Sequence, residues 1–143
     1  MSEEVFHLGV KALIRNQAGK ILLLRVNPEE LHGDRQSHWD LPGGRVQVGE
    51  PVEATLRREV AEETGITQLA IEKPMGMVLS NIRIPNGPAA SYGLILSVYE
   101  CSVPEGSPVE LSFEHTAFDW VTVARAAKLL EFKYPPEFRA LLH

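Results

Sequence analysis

Two apolar runs open the chain. Val5 to Arg15 (VFHLGVKALIR) and Ile21 to Val26 (ILLLRV) flank the polar stretch Asn16-Gln17-Ala18-Gly19-Lys20. Runs of this length, bounded by turn residues, predict two strands joined as a hairpin, with Gly19 supplying a positive φ. The unbroken ILLL predicts a strand buried on both faces. His7 lies on the first strand, facing either the core or a pocket. Asn27 to His38 is polar and long for a connection in so compact a chain, and such loops often carry function. Trp39-Asp40-Leu41 reads as a short strand ended by Pro42-Gly43-Gly44, where adjacent glycines permit a tight turn and close backbone approach. Arg45 to Val48 reads as a further short strand.

The periodicity then changes. Val52, Leu56 and Val60 recur every four residues and share one stripe, which predicts a helix from about Pro51 to Thr64. Pro51 suits the first helical position. Gly65 suits a left-handed C-cap, with Ile66 folding back onto the last turn. Gln68 to Ile84 reads as one or two strands interrupted near Pro74-Met75-Gly76, and Pro85-Asn86-Gly87-Pro88 as a turn. Ser91 to Cys101 predicts a strand paired with the preceding one. Val123 to Leu130 predicts a short helix capped by Thr122, and Pro135 to Leu142 a last helical piece. The order of elements supports an α+β or α/β class.

Composition narrows the setting. At 143 residues the chain has the size of one domain with a normal core, so 1–143 is read as a single domain. A net charge of −5 argues against tight non-specific binding to long nucleic acids, which depends on Lys and Arg meeting phosphates. Small phosphorylated compounds stay open, because a bound metal reverses the local sign. Cys101 is the sole cysteine, so no intrachain disulfide forms and a reducing, cytoplasmic compartment is expected. Core packing accounts for it better than nucleophilic chemistry. The first residues lack the basic start and apolar run of a signal peptide. No apolar run approaches the roughly 20 residues of a membrane span, and no membrane partner is expected.

The polar face of the predicted helix is unusual. Glu59, Glu62 and Glu63 stand at i, i+3 and i+4, so their carboxylates share one patch. Like charges at that spacing cost roughly 0.2–0.5 kcal/mol per pair. Anions in the last turn also oppose the helix dipole, by about 0.3–1 kcal/mol each. Such an array calls for a compensating cation, and hard oxygen ligands suit Mg²⁺, Mn²⁺ or Ca²⁺ rather than Zn²⁺. A solvated acidic face is the plainer reading of three glutamates alone.

The surrounding pattern outweighs it. Gly44, Glu50, Arg58, Glu59, Val60, Glu62, Glu63, Gly65 and Ile66 fill every fixed position of Gly-x5-Glu-x7-Arg-Glu-aliphatic-x-Glu-Glu-x-Gly-aliphatic. The stretch resembles the box of the Nudix, or MutT-like, hydrolase superfamily, and Trp39 to Gly43 resembles the usual approach to it. Glu110 to Val121 resembles the late segment in which an acidic loop precedes an aromatic strand. The resemblance implies a three-layer α/β/α sandwich around a mixed sheet. It also implies metal-dependent hydrolysis of a pyrophosphate bond in a small nucleoside diphosphate-X compound, with Mg²⁺ as cofactor and Mn²⁺ as the substitute.

By position in the box, Glu59, Glu62 and Glu63 are metal ligands, and Glu59 is the first choice to hold or deprotonate the attacking water. Arg58 is expected to orient these carboxylates or pair with Glu50. Glu114 is the best catalytic base outside the box, with His115 and Asp119 behind it. Arg25, Arg35 and His38 are expected to meet phosphate, and Trp39 to stack on a base. Nucleoside triphosphates lead the substrate expectations; nucleotide sugars, dinucleoside polyphosphates and ADP-ribose are alternatives. The proline associated with ADP-ribose specificity is replaced by Ser80, and no tyrosine occupies Asn81 to Arg83, where one marks dinucleoside polyphosphates. Trimming of RNA 5′ ends and a non-catalytic nucleotide-binding module are further alternatives. Homodimers are common in the superfamily, so a homodimer is an open expectation.

Overall fold

The structure is a computed structural model and describes residues 2–31 and 36–143. Its strands are β1 (Phe6–Arg15), β2 (Ile21–Val26), β3 (Trp39–Asp40), β4 (Gly43–Arg45), β5 (Ala70–Leu79), β6 (Ile84–Pro85), β7 (Ser91–Ser102) and β8 (His115–Val121). Its helices are α1 (Val52–Thr64), α2 (Val123–Leu129) and α3 (Pro136–Arg139), with a 3₁₀ turn at Pro28–Glu30.

The strands form a mixed sheet along the path β3-β2-β1-β7-β5, with β4 also paired to β1, β8 to β2 and β6 to β7. β1 and β2 form the expected antiparallel hairpin, and β5 pairs antiparallel with β7. β1 runs parallel to β7 from Phe6↔Gly93 to Arg15↔Ser102. A parallel pair needs a long crossover, and here it contains α1. The stretch around Pro74 does not divide β5. Register shifts at Ile71/Lys73 and Pro74/Gly76 absorb the irregularity instead, as bulges let a strand carry proline.

Side-chain alternation splits the core between the two sheet faces. Val10, Ala12 and Ile14 of β1 and Leu22 and Leu24 of β2 pack with Leu56 and Val60 of α1. Leu13, Ile21 and Leu23 point the other way and pack with Ala126 of α2, Tyr134, and Phe138 of α3. The ILLL run is thus fully buried because it serves both layers, and the helices on both faces give the α/β/α sandwich. His7 is partly buried and packs against the Tyr92 ring, 4.9 Å between centroids. Cys101 is buried in the core on the α1 side.

Three boundaries differ from expectation. Pro51 is the N-cap, with extended ψ of 152°, and α1 begins at Val52. Its carbonyl accepts the Thr55 N–H, so proline precedes the helix rather than opening it. The third short strand is Gly43–Arg45, earlier than Arg45 to Val48. It pairs with β1 through Gly9↔Arg45, Val10↔Gly44 and Lys11↔Gly43. Gly43, at φ 143°, permits this: a Cβ there would overlap the Val10 carbonyl oxygen and lie 2.8 Å from Lys11 Cα. The last helix is shorter than Pro135 to Leu142, because it begins only after the extended Pro135, its N-cap.

Candidate active site

The site forms where α1 meets the glycine strand β4. Gly65 ends α1 in the left-handed conformation, φ 75°, with its N–H on the Ala61 carbonyl, and Ile66 is buried beyond it. With both ends of the helix set, Glu59 and Glu63 turn toward β4. Glu63 is almost fully buried, and its Oε1 accepts the Gly43 N–H at 2.9 Å. The Glu59 carboxylate lies where a side chain at Gly44 would stand.

Glu62 behaves differently. It is the most exposed of the three, and both its oxygens accept from Arg58 Nη1 at 3.2–3.3 Å. Arg58 also donates to Glu50 through Nε at 2.7 Å and Nη2 at 2.9 Å, and to Glu59 Oε1 at 3.1 Å. The guanidinium therefore makes both contacts expected of it and supplies part of the counter-charge the helix needs. Hydrogen bonds from Arg58 and Thr55 pull the Glu50 carboxyl down to about 2.

Glu63 is shifted the other way. Burial pushes its pKa up to about 8, against the attraction of Lys11 and the Gly43 N–H. A desolvated carboxyl of this kind favours a cation partner. Among the described residues, no three His, Cys, Asp or Glu side chains stand close enough to hold a metal ion. Glu59 and Glu63 fit a hard divalent cation in donor chemistry and direction, whereas Glu62 would first have to leave Arg58.

A cavity of about 310 Å³ adjoins this point, lined by Gly43, Gly44, Arg45 and Glu114 and continuing to His38, Asp40, Lys11 and Lys133. Glu114 is placed by backbone: its carbonyl accepts the Asn27 N–H at 2.9 Å, tying the loop after β2 to the segment before β8. Burial raises its pKa, aided by Glu59, Glu30 and Glu62. His115 is partly buried, its Nδ1 is buried without a hydrogen-bond partner, and burial lowers its pKa to about 4. Asp119 is exposed on β8.

Arg25 and Trp39 are brought together, with the guanidinium 5.8 Å from the indole centroid, a cation–π stack. They line a neighbouring depression with Lys128 and Phe132 rather than the cavity beside Gly44. His38 borders both. Its Nδ1 lies 2.9 Å from the Gln36 carbonyl, and burial lowers its pKa. Arg35 lies outside the described residues.

The floor of the cavity is where the sequence reading was silent. Asp40 Oδ2 accepts from Lys11 Nζ at 3.0 Å and Lys133 Nζ at 2.6 Å, and its Oδ1 accepts from Tyr134 OH at 2.6 Å and Leu41 N at 2.8 Å. These five residues come from three separate parts of the chain. Burial raises the Asp40 proton affinity, but the two ammoniums outweigh it and hold the carboxyl far below the usual range. A lysine inside the apolar run of β1 was a visible signal for Lys11. Lys133, in a short connection, carried none.

A NUDIX domain model matches residues 5–142. The chain is 37% identical over 102 residues to the protein named "Putative 8-oxo-dGTP diphosphatase 2" of Mycobacterium tuberculosis, covering 70% of this chain and 62% of that one. It thus spans about three fifths of that relative's length. A MutT-like protein of Streptomyces ambofaciens is 28% identical over 121 residues, covering 85% and 67% of the two chains. Among solved structures, the MutT protein of Methanosarcina mazei Go1 superposes with a TM-score of 0.74 at 31% identity, covering 99% of this chain and 93% of that one. With the glycine strand, the glutamate-bearing helix and the layered mixed sheet in place, the chain belongs to the NUDIX domain family.

Proposed function

We propose that the protein hydrolyses a pyrophosphate bond of a small nucleoside diphosphate-X compound, with nucleoside triphosphates as the leading class and Mg²⁺ as the metal. The observation that carries this reading is the pair of carboxylates, Glu59 and Glu63, set against Gly43 and Gly44 at the edge of a cavity of about 310 Å³. The relative named for 8-oxo-dGTP supports the choice of triphosphates.

A bound divalent cation neutralises pyrophosphate oxygens and acidifies coordinated water. Glu59 and Glu63 would hold it, joined by Glu62 after release from Arg58. Arg58 anchors Glu50 and Glu59 in fixed orientation, the outer-shell role that tunes carboxylate ligands. Glu114, partly buried beside like charges, has the raised proton affinity that suits a base taking a proton from water. Glu59 is the competing choice for that role. Arg45, at the cavity wall, would meet phosphate, while Arg25 and Trp39 offer a stacking surface next door.

The test is a panel of nucleoside triphosphates, nucleotide sugars, ADP-ribose and dinucleoside polyphosphates at fixed Mg²⁺, with products identified by mass. Triphosphates are expected to yield monophosphate and pyrophosphate. Glu63→Gln is expected to lose at least about 100-fold in kcat, the scale of losing one charge-stabilising group. Tight binding of a nucleotide that stays intact in the wild type would overturn the hydrolase reading.

A further inference from the structure

The cavity runs from the glutamate helix to a floor made of Asp40, Lys11 and Lys133, with Tyr134 buried behind Asp40. An ionised carboxylate offers about four lone-pair sites. Asp40 already spends four, on Lys11, Lys133, Tyr134 and the Leu41 N–H. It has no acceptor left for a ligand. The lysines are not exhausted. Lys11 uses one N–H on Asp40 and one on the Leu41 carbonyl, and Lys133 uses one on Asp40. Each ammonium has three donors, so three N–H groups remain among the described residues. Both lysines line the cavity.

The wall above this floor is apolar: Ile82, Ile84, Leu94 and Leu96. Glu114, with Glu59, Glu30 and Glu62 as its like-charged neighbours, marks the cavity end nearer α1, and of the floor groups Lys11 and Asp40 also feel the Glu63 charge. A compound with its phosphates at that end would lay its other end between the apolar wall and the donor floor. A planar heterocycle fits such a space, and a pocket of this volume is within the range of small-molecule sites, about 300–1,000 Å³.

We infer that Lys133, with Lys11, selects nucleobases that present an exocyclic oxygen to the cavity floor over those that present an amino group there. The inference rests on the proposed nucleotide chemistry and adds the class of base. An oxo group accepts from the spare N–H groups. An amino group in the same place meets ammonium protons and a carboxylate with no lone pair to give. Tyr134 acts from behind the floor, its hydroxyl occupying one of the Asp40 lone pairs. Lys133 is protonated at neutral pH, because burial lowers its pKa only to about 8 against the pull of Asp40. His38, which lines the cavity beside the lysines, has its pKa lowered by burial and is tied to Gln36, and His115 lies in the field of the same groups.

Two matched pairs isolate this edge: inosine against adenosine triphosphate, and deoxyuridine against deoxycytidine triphosphate. The wild type is expected to favour the oxo member of each pair about 10- to 100-fold in kcat/KM, the range of a hydrogen bond to a charged group. Lys133→Met brings both ratios toward one by weakening the oxo members. Lys133→Gln, whose amide offers a donor and an acceptor, also brings them close to one and serves if the methionine variant does not fold. Hydrolysis of all four at equal kcat/KM would overturn the inference and leave the hydrolase reading standing. Calorimetry with α,β-methylene analogues of inosine and adenosine triphosphate separates the two. Preferential binding of the inosine analogue without turnover of any triphosphate supports base selection and sinks hydrolysis. Equal affinity for both analogues overturns base selection whatever the turnover.

Discussion

Gly43 and Gly44 are neighbours with different duties. At Gly43 the backbone itself requires glycine: φ is 143°, and a Cβ would strike the Val10 carbonyl. At Gly44 only the Glu59 carboxylate occupies the space, and that is the far end of a flexible side chain. Gly43→Ala is therefore expected to destabilise the fold by about 3 kcal/mol or more, combining overpacking with a disfavoured backbone conformation. Gly44→Ala is expected to cost under about 1 kcal/mol, within the range of mild substitutions, while displacing Glu59 and cutting kcat at least about tenfold. Urea denaturation and steady-state kinetics on the two variants separate the roles. Equal stability losses would show that Gly44 is architectural too.

At the scale of elements, α1 is held by one face and used by another. Leu56 and Val60 are buried against β1 and β2, and burying a leucine is worth about 1.5–3 kcal/mol. That term offsets the repulsion among Glu59, Glu62 and Glu63, with Arg58 supplying an internal counter-charge. Leu56→Ala is expected to lose about 2–5 kcal/mol, transfer and cavity terms together, measured as a lower denaturation midpoint at unchanged slope. A loss under about 1 kcal/mol would mean that the charged face, not the apolar stripe, holds the helix. Predictions of α1 from the four-residue spacing agree with the structure apart from Pro51. Predictions of β4 failed at its start, because pairing to β1 rather than local pattern sets that strand.

Across the whole molecule, buried titratable groups make stability depend on pH with opposing signs. His115 has a folded pKa of about 4, pushed down by burial, against an ordinary value near 6.5. Between these values the unfolded chain binds more protons, so stability rises with pH and is lost as pH falls from about 6.5 through 4. Glu63, raised to about 8, binds more protons folded than unfolded between 4.5 and 8 in the metal-free protein, so its contribution falls as pH rises. The two partly cancel. The stability difference between wild type and His115→Leu isolates the histidine: measured from pH 7 to 4.5, it should move in favour of the variant as pH falls. A pH-independent difference would place the His115 imidazole in water rather than in the fold.

The box helix, its cap, the hairpin and the clustering of acidic side chains on that helix were legible in residue order, because each depends on neighbours within a few positions. Periodicity placed Leu56 and Val60, and motif spacing singled out Glu59, Glu62, Glu63 and Arg58. What the tertiary structure decided was which of these groups lose water. Three glutamates with the same charge and helical spacing end in three settings: Glu63 buried on Gly43, Glu59 over Gly44, and Glu62 exposed on Arg58. The Asp40 cluster joins Lys11, Asp40 and Lys133 across separations of 29 and 93 residues. No local pattern encodes such a meeting, because it exists only once β1 and β3 share one sheet and the α2–α3 connection packs beside them. Burial then sets the proton affinities and spare hydrogen bonds on which the cavity's chemistry depends.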